Sequence, residues 1–358
     1  MLVGQAVSRM AGQYMVVSGG DSPNRIKVFD IETVGNGTYT IVNNVASLTQ
    51  PTPTFTLQYR WHPQGTAFVY SQSSAPRISV YEKVGNTYTK VDLSPEGNQS
   101  WLVDWNPSYP QFIVALSNGA SNTAGQFQLF EKSSTGTNAW TSTGTIDVAI
   151  TATIAAQWIS WNPQGTTVAM GMAASPWLLI YNFNPVTKAF TKIVSPSTGM
   201  PTGVVDCAVW NYNGSSLMIA GRSASNKVVV YNREGDVFVK ASVLETTTDC
   251  YSCAWGGDLG EHLAFGPAAL PRVKFAYRPP GTTATFHLAA NPSSLPANNL
   301  NGLDISADGK LAVLGVYLNA NKYYRRDPAT TSTWIDIGQN ISGNPVYGKS
   351  PHIFPGKV

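Results

Sequence analysis

The stretch "ISWNPQGTTVAMG", Ile159 to Gly171, is echoed upstream by "YRWHPQGTAFVYS", Tyr59 to Ser71. Both copies set the word Trp-x-Pro-Gln-Gly-Thr between two short apolar runs. The word recurs in looser forms: "DWNPSYP" at Trp105, "VWNYNG" at Trp210, "AWGGDLG" at Trp255 and "DISADG", where Ile305 takes the Trp place. From Trp61 onward the intervals are 44, 56, 49, 45 and 50 residues. Self-similarity at such a period marks a repeat architecture.

A second word follows each copy: a cation, alternating apolar residues, then an acid or amide. It reads "RIKVFD" from Arg25, "RISVYE" from Arg77, "KVVVYN" from Lys227, "RVKFAY" from Arg272 and "KYYRRD" from Lys322. "QFQLFE" from Gln126 and "WLLIYN" from Trp177 fill the two gaps, so seven copies are spaced 45 to 52 residues apart. Within a unit, "TFTLQYRW" alternates, "HPQG" turns, "TAFVYS" is a short apolar strand, and "RISVYEKV" and "TYTKVDL" flank a Gly-Asn hairpin turn. Period-two alternation cut by Gly, Pro and Asn is the strand-and-hairpin signal. No segment sustains helical periodicity.

Four antiparallel strands repeated seven times predict an all-β, seven-bladed β-propeller of four-stranded blades. One blade cannot bury both faces, and a ring of blades can. The expected blades are 1–52, 53–97, 98–150, 151–202, 203–247, 248–297 and 298–358, in one domain. The Trp word is read as the end of each inner strand and its hairpin, with the indole packing blade on blade. The tail "GKSPHIFPGKV" resembles an inner strand with its turn, and is expected either to supply the first blade's inner strand or to pair beside the N-terminal strand.

On these words the whole chain resembles WD40-type and related seven-bladed propellers. Asp30, Glu82, Glu131, Asn182, Asn232 and Asp327 stand where that family places its Trp-Asp dipeptide. The family's Gly-His pair and Trp-Asp are missing, so its buried hydrogen-bonded tetrad is not expected. "RIKVFDIE" and "HPQGTAFVYS" are also similar to lactonase-like seven-bladed propellers. That resemblance implies a hydrolase or isomerase with acids and arginines at the channel mouth, and a Gly-Pro-Arg-His segment that "GPAALPR" and "YRWHPQG" do not reproduce.

Composition bears on function class. Hydrophobic residues make up 43% of the 358, charged residues only 12%, and the net charge is +3. No run of either sign suggests a nucleic-acid or acidic-membrane partner. No apolar run reaches the roughly 18 residues that span a bilayer, and the N-terminal stretch lacks the pattern of a signal peptide. Three cysteines form no disulfide framework and suit a reducing compartment. The four histidines lie apart in sequence with no metal-ligand spacing. Cys250-x-x-Cys253 falls on an inner strand, where alternation places i and i+3 on opposite faces. Nucleophile elbows and phosphate loops are missing.

These readings predict no catalytic residues, cofactor or metal. The expected role is a non-catalytic binding or structural module making protein–protein contacts. The composition resembles propellers of tailed-phage particles, with virion subunits as partners and the virion, otherwise the cytoplasm, as location. Alternatives are a lactonase-like enzyme and a glycan-binding propeller. The candidate binding residues are a partial ring of cations, Arg25, Arg77, Lys227, Arg272 and Lys322, set against solvated or ion-paired strand starts, together with Trp177. A channel mouth gathering Arg, Glu and His would favour the enzyme; one lined by Ser, Thr and apolar side chains would oppose it.

Overall fold

The computed structural model describes residues 13–19, 26–34, 38–48, 56–72, 76–84, 87–93, 101–117, 127–133, 139–145, 156–193, 200–222, 225–257, 260–279, 282, 285–316, 322–327, 329–330, 332–337 and 352–355. Among them there are strands and turns and no helix. The chain opens with β1 (Gln13–Gly19), β2 (Ile26–Val34) and β3 (Thr38–Leu48). Six sets of four consecutive strands follow, each set forming one antiparallel sheet. They are β4 (Thr56–Trp61), β5 (Ala67–Gln72), β6 (Ile78–Val84) and β7 (Thr87–Leu93), then β8 (Trp101–Trp105), β9 (Phe112–Ser117), β10 (Phe127–Lys132) and β11 (Trp140–Thr145). Next come β12 (Ala156–Trp161), β13 (Thr167–Met172), β14 (Leu178–Asn184) and β15 (Ala189–Lys192), and β16 (Val204–Trp210), β17 (Ser216–Arg222), β18 (Val228–Glu234) and β19 (Val237–Glu245). The last two sets are β20 (Cys250–Gly256), β21 (His262–Pro267), β22 (Lys274–Tyr277) and β23 (His287–Leu288), and β24 (Leu300–Ile305), β25 (Leu311–Val316), β26 (Lys322–Arg326) and β27 (Trp334–Asp336).

The final strand, β28 (His352–Pro355), pairs antiparallel with β1, Tyr14 opposite Pro355 and Val17 opposite His352. It completes a further four-stranded sheet in the order β28-β1-β2-β3. The tail therefore supplies the strand that each other sheet takes from its own beginning. These first strands also touch one another in succession, β4 to β8, β12, β16, β20 and β24, and β28 touches both β24 and β4. Sheets placed side by side with their first strands innermost make a β-propeller. Its core is a series of layers between neighbouring sheets, such as Leu102, Val114, Leu129, Ile159, Val168 and Met170 between the β8–β11 and β12–β15 sheets.

The repeated word has a local explanation. Trp61, Trp105, Trp161 and Trp210 end their inner strands, Trp255 stands one residue before the end of its own, and all five are buried. Each indole lies against aromatic side chains of its own sheet or the one before: Trp210 meets Phe238 at 5.8 Å, and its Nε1 donates to Ser160 O, 3.3 Å away. Trp255 repeats this with Phe286 and, at 2.9 Å, Val209 O. Removing one such indole costs on the order of 3–5 kcal/mol. The following residue organises the hairpin. Asn162 Oδ1 accepts the N–H groups of Thr166 and Thr167, both at 2.9 Å, and Gly165 takes the left-handed φ of 66°. His62 holds the same slot and accepts the Gln64 N–H at 3.1 Å.

The turns are also stitched together across sheets. Asn106 Nδ2 donates to Gly165 O (2.9 Å), and Gln164 Nε2 donates to Asn213 O (2.9 Å). A buried clasp ties the inner strands together. Asp104 pairs with Arg60 Nε of β4 (3.1 Å) and accepts the Trp105 N–H at 3.0 Å and the Trp161 N–H of β12 at 2.6 Å. The Arg60 guanidinium lies over the Trp158 ring, 4.8 Å from its centroid.

Candidate functional site

The inner strands share one irregularity. Where β4, β12, β16, β20 and β24 begin, the pairing with the next strand skips one residue: Leu57, Gln157, Asp206, Tyr251 and Asn301. β8 alone among these six pairs without a skip. A bulge leaves its extra residue out of the ladder and re-aims the side chain. Recurring at one level, the bulges mark the rim where inner strands enter, second strands end and third strands begin.

On the β16–β19 and β20–β23 sheets this rim is charged. Asp206, buried on its bulge, accepts two hydrogen bonds from Arg222 at the end of β17: Nε to Oδ2 and Nη2 to Oδ1, each 2.9 Å. The Arg222 side chain is 41% exposed against 5% for Asp206, so a fixed carboxylate presents a guanidinium to solvent. The Asp206 hydrogen bonds raise the Arg222 pKa above its ordinary value, outweighing its partial burial. Its guanidinium also sits 5.9 Å from the centroid of Tyr251, the next bulged residue. Asp249, in the connection entering β20, is 38% exposed, is held by Lys227 Nζ at 2.6 Å, and lies near enough for its charge to act on Arg222. Behind them Glu245 accepts from Lys274 Nζ at 2.5 Å and from Thr247 and Thr248. Burial works to raise the Glu245 pKa, but these hydrogen bonds prevail and bring it down to about 2. The rim thus offers a positioned cation, an aromatic face and a half-exposed carboxylate, which are the parts of an electrophile, a binding surface and a general base.

Of the residues singled out in sequence, Arg25 lies outside the described residues. Arg77 is half-buried at the start of β6. Lys227 is engaged with Asp249, Lys322 Nζ with Asp336 at 2.9 Å and Ser294 at 2.6 Å, and Arg272 with Asn299. Trp177 is half-buried against the core shared by the β12–β15 and β16–β19 sheets. Asp206, Arg222, Tyr251 and Asp249 were not singled out. The signal was present as a repeat irregularity, because "VVDCAVW" and "CYSCAWG" each carry one residue more than strict alternation allows.

The same bulge corrects the reading of Cys250 and Cys253. Cys250 faces Pro267 and Cys253 faces Phe265, two residues apart, so the extra Tyr251 restores both cysteines to one face. Both join Cys207 in one apolar cluster, where all three are buried free thiols. Burial pushes the Cys250 and Cys253 thiols well up in pKa, which makes them unreactive packing residues. Among the described residues no group of three or more His, Cys, Asp or Glu is arranged to hold a metal ion.

No family model matches the sequence, and no curated protein matches it. Solved structures do. A Bacteroides fragilis protein provisionally named 6-phosphogluconolactonase is similar with a TM-score of 0.70 at 12% identity, over 97% of this chain and 99% of that one. The Pseudomonas aeruginosa periplasmic gluconolactonase PpgL gives 0.70 at 10% identity, over 96% and 99%. The β-propeller domain of Myceliophteria thermophila Cps50 gives 0.55 at 10% identity, over 86% and 94%. At these identities the likeness establishes the fold: the chain is a β-propeller that resembles both lactonase-like and WD40-like propellers. It also overturns the expectation of a non-catalytic phage structural module. Three propellers matching along nearly the full length of both chains carry lactonase names, which sides with the lactonase-like alternative, and the virion assignment has no support among them. No helix among the described residues is long and apolar enough to cross a membrane.

Proposed function

We propose that this chain is a single seven-bladed propeller that hydrolyses a lactone at the rim formed by the β16–β19 and β20–β23 sheets. The sheet completed by β28 and the succession of inner-strand contacts support the blade number. The observation that carries the activity is the Asp206–Arg222 pair, a buried two-point anchor presenting a half-exposed guanidinium beside a second, half-exposed carboxylate.

Arg222 donates to the lactone carbonyl oxygen and stabilises the negative charge that gathers there. Asp206 holds the guanidinium in place and touches no substrate. Asp249, held in place by Lys227, takes a proton from a water molecule as that water attacks the acyl carbon. The new bond joins the water oxygen to the acyl carbon, the bond to the ring oxygen breaks, and the ring oxygen receives the proton. The product is an open hydroxy acid, and no cofactor is needed. A donor placed at a developing oxyanion contributes about 10²–10³ in rate, and a positioned base about 10²–10⁴.

The test is hydrolysis of a panel of five- and six-membered lactones, followed by proton release. The wild-type chain should exceed the spontaneous rate, and Arg222→Ala should lose at least a hundredfold of that excess. A wild-type rate equal to buffer for every lactone would reject the activity.

A further inference from the structure

We infer that the rim accepts an uncharged polyhydroxy lactone and turns away its phosphorylated counterpart; this rests on the hydrolase reading above. The reason is charge matching. A phosphate monoester carries close to two negative charges at neutral pH and is held by cations not already engaged by carboxylates. At this rim the three cations flanking the bulges each have a carboxylate of their own: Arg222 with Asp206 through a two-point fork, Lys227 with Asp249 at 2.6 Å, and Lys274 with Glu245 at 2.5 Å. Three positive charges meet three negative ones. Drawing a lysine toward a phosphate would strip Asp249 or the buried Glu245 of its partner. Arg272, just before β22, adds a fourth charge that no carboxylate among the described residues matches, but its guanidinium is engaged by Asn299 and its Nε is buried without a hydrogen-bond partner, closed off from an arriving phosphate.

What the rim offers instead suits hydroxyl groups. Asp249 has acceptor capacity beyond its bond to Lys227, on a side chain 38% exposed. The half-buried Tyr251 supplies a ring face for the C–H side of a sugar, and the half-buried Gln157 brings an amide to the same level from the neighbouring sheet. Both carboxylates at the mouth, Asp206 and Asp249, repel a dianion, and Asp249 accepts from a polyol.

The experiment compares glucono-1,5-lactone with its 6-phosphate as substrates, and 1,5-anhydroglucitol with its 6-phosphate as non-hydrolysable ligands read by calorimetry. The expected result is kcat/KM at least tenfold higher for the neutral lactone, with the neutral polyol bound at least tenfold more tightly than its phosphate. Asp249→Asn should then raise affinity for the 6-phosphate at least fivefold. A phosphorylated compound used or bound as well as its neutral partner overturns the inference, as does an unchanged affinity in Asp249→Asn, or no binding of either polyol. Neutral binding without turnover of either lactone overturns the hydrolase reading and leaves the charge selectivity standing.

Discussion

Arg222 grips Asp206 with Nε and Nη2 at 2.9 Å each, and the carboxylate it grips stands on a bulge that interrupts the pairing of β16 with β17. The irregularity in the ladder is thereby converted into a fixed direction for the guanidinium. Lysine in place of Arg222 keeps the charge and forfeits the two-point contact. Arg222→Lys is expected to lower kcat about tenfold, and Arg222→Ala about 10²–10³-fold. Asp206→Asn should fall between them, with its loss mainly in kcat. Initial rates on one lactone, with unfolding curves to confirm that each variant is folded, check the order.

Glu245 gives a signed pH dependence. Its pKa in the fold, about 2, lies below the ordinary 4.5. Its contribution to stability is therefore present above pH 4.5 and disappears as pH falls through about 2, amounting to on the order of 3 kcal/mol. Glu245→Gln should lose about that much at pH 7 and show a flatter acid limb. Urea unfolding at stepped pH between 7 and 2.5 measures both.

Asp104 works in the other direction. Burial pushes its pKa up to about 6 from 3.8, with Arg60 and the Trp161 and Trp105 N–H groups pulling against the shift. A raised value means that its favourable contribution is complete below about pH 4 and is lost as pH rises through about 6, again on the order of 3 kcal/mol. Asp104→Asn should abolish the decline between pH 4 and 7. An unchanged slope in that variant would remove Asp104 as its source.

Gly165 and Gly235 share φ near 66° and differ in surroundings. A Cβ on Gly165 would stand 2.0 Å from Asn106 Oδ1, whereas one on Gly235 would meet nothing within 4 Å. Gly235→Ala should cost about 1–2 kcal/mol for the backbone alone. Gly165→Ala should cost about 2–4 kcal/mol, because it also displaces the Asn106 bond that joins two turns. Thermal and urea unfolding of the two variants isolate the stitch from the backbone.

The architecture was largely legible in the residues. A Trp that ends an inner strand, a Pro or Asn that enters the turn and a Gly that closes it are local requirements, and most repeats state two or more of them again. Burial of Trp61, Trp105, Trp161, Trp210 and Trp255 at or beside the ends of β4, β8, β12, β16 and β20 follows from that local chemistry. The partial ring of third-strand cations was also readable, with ion pairing as one of its readings, but the partner of each cation was not. Whether Lys227 meets a ligand or Asp249 depends on how the connection into β20 folds back, which no spacing in one repeat expresses.

The charged rim was hidden for a more specific reason. A β-bulge is a relationship between two strands, and one residue too many shows itself only when a partner strand fixes the register. With the register set, Tyr251 leaves the ladder, Cys250 and Cys253 turn to the same face, and Asp206 comes within reach of Arg222 sixteen residues away. The sequence alone determined that the chain repeats, that each repeat is four strands, and that the tail has the form of an inner strand. Only the tertiary structure decided that β28 lies beside β1 and which side chains meet at the rim. Periodicity governs what a strand can bury, while the pairing of distant strands governs which side chains are released from it.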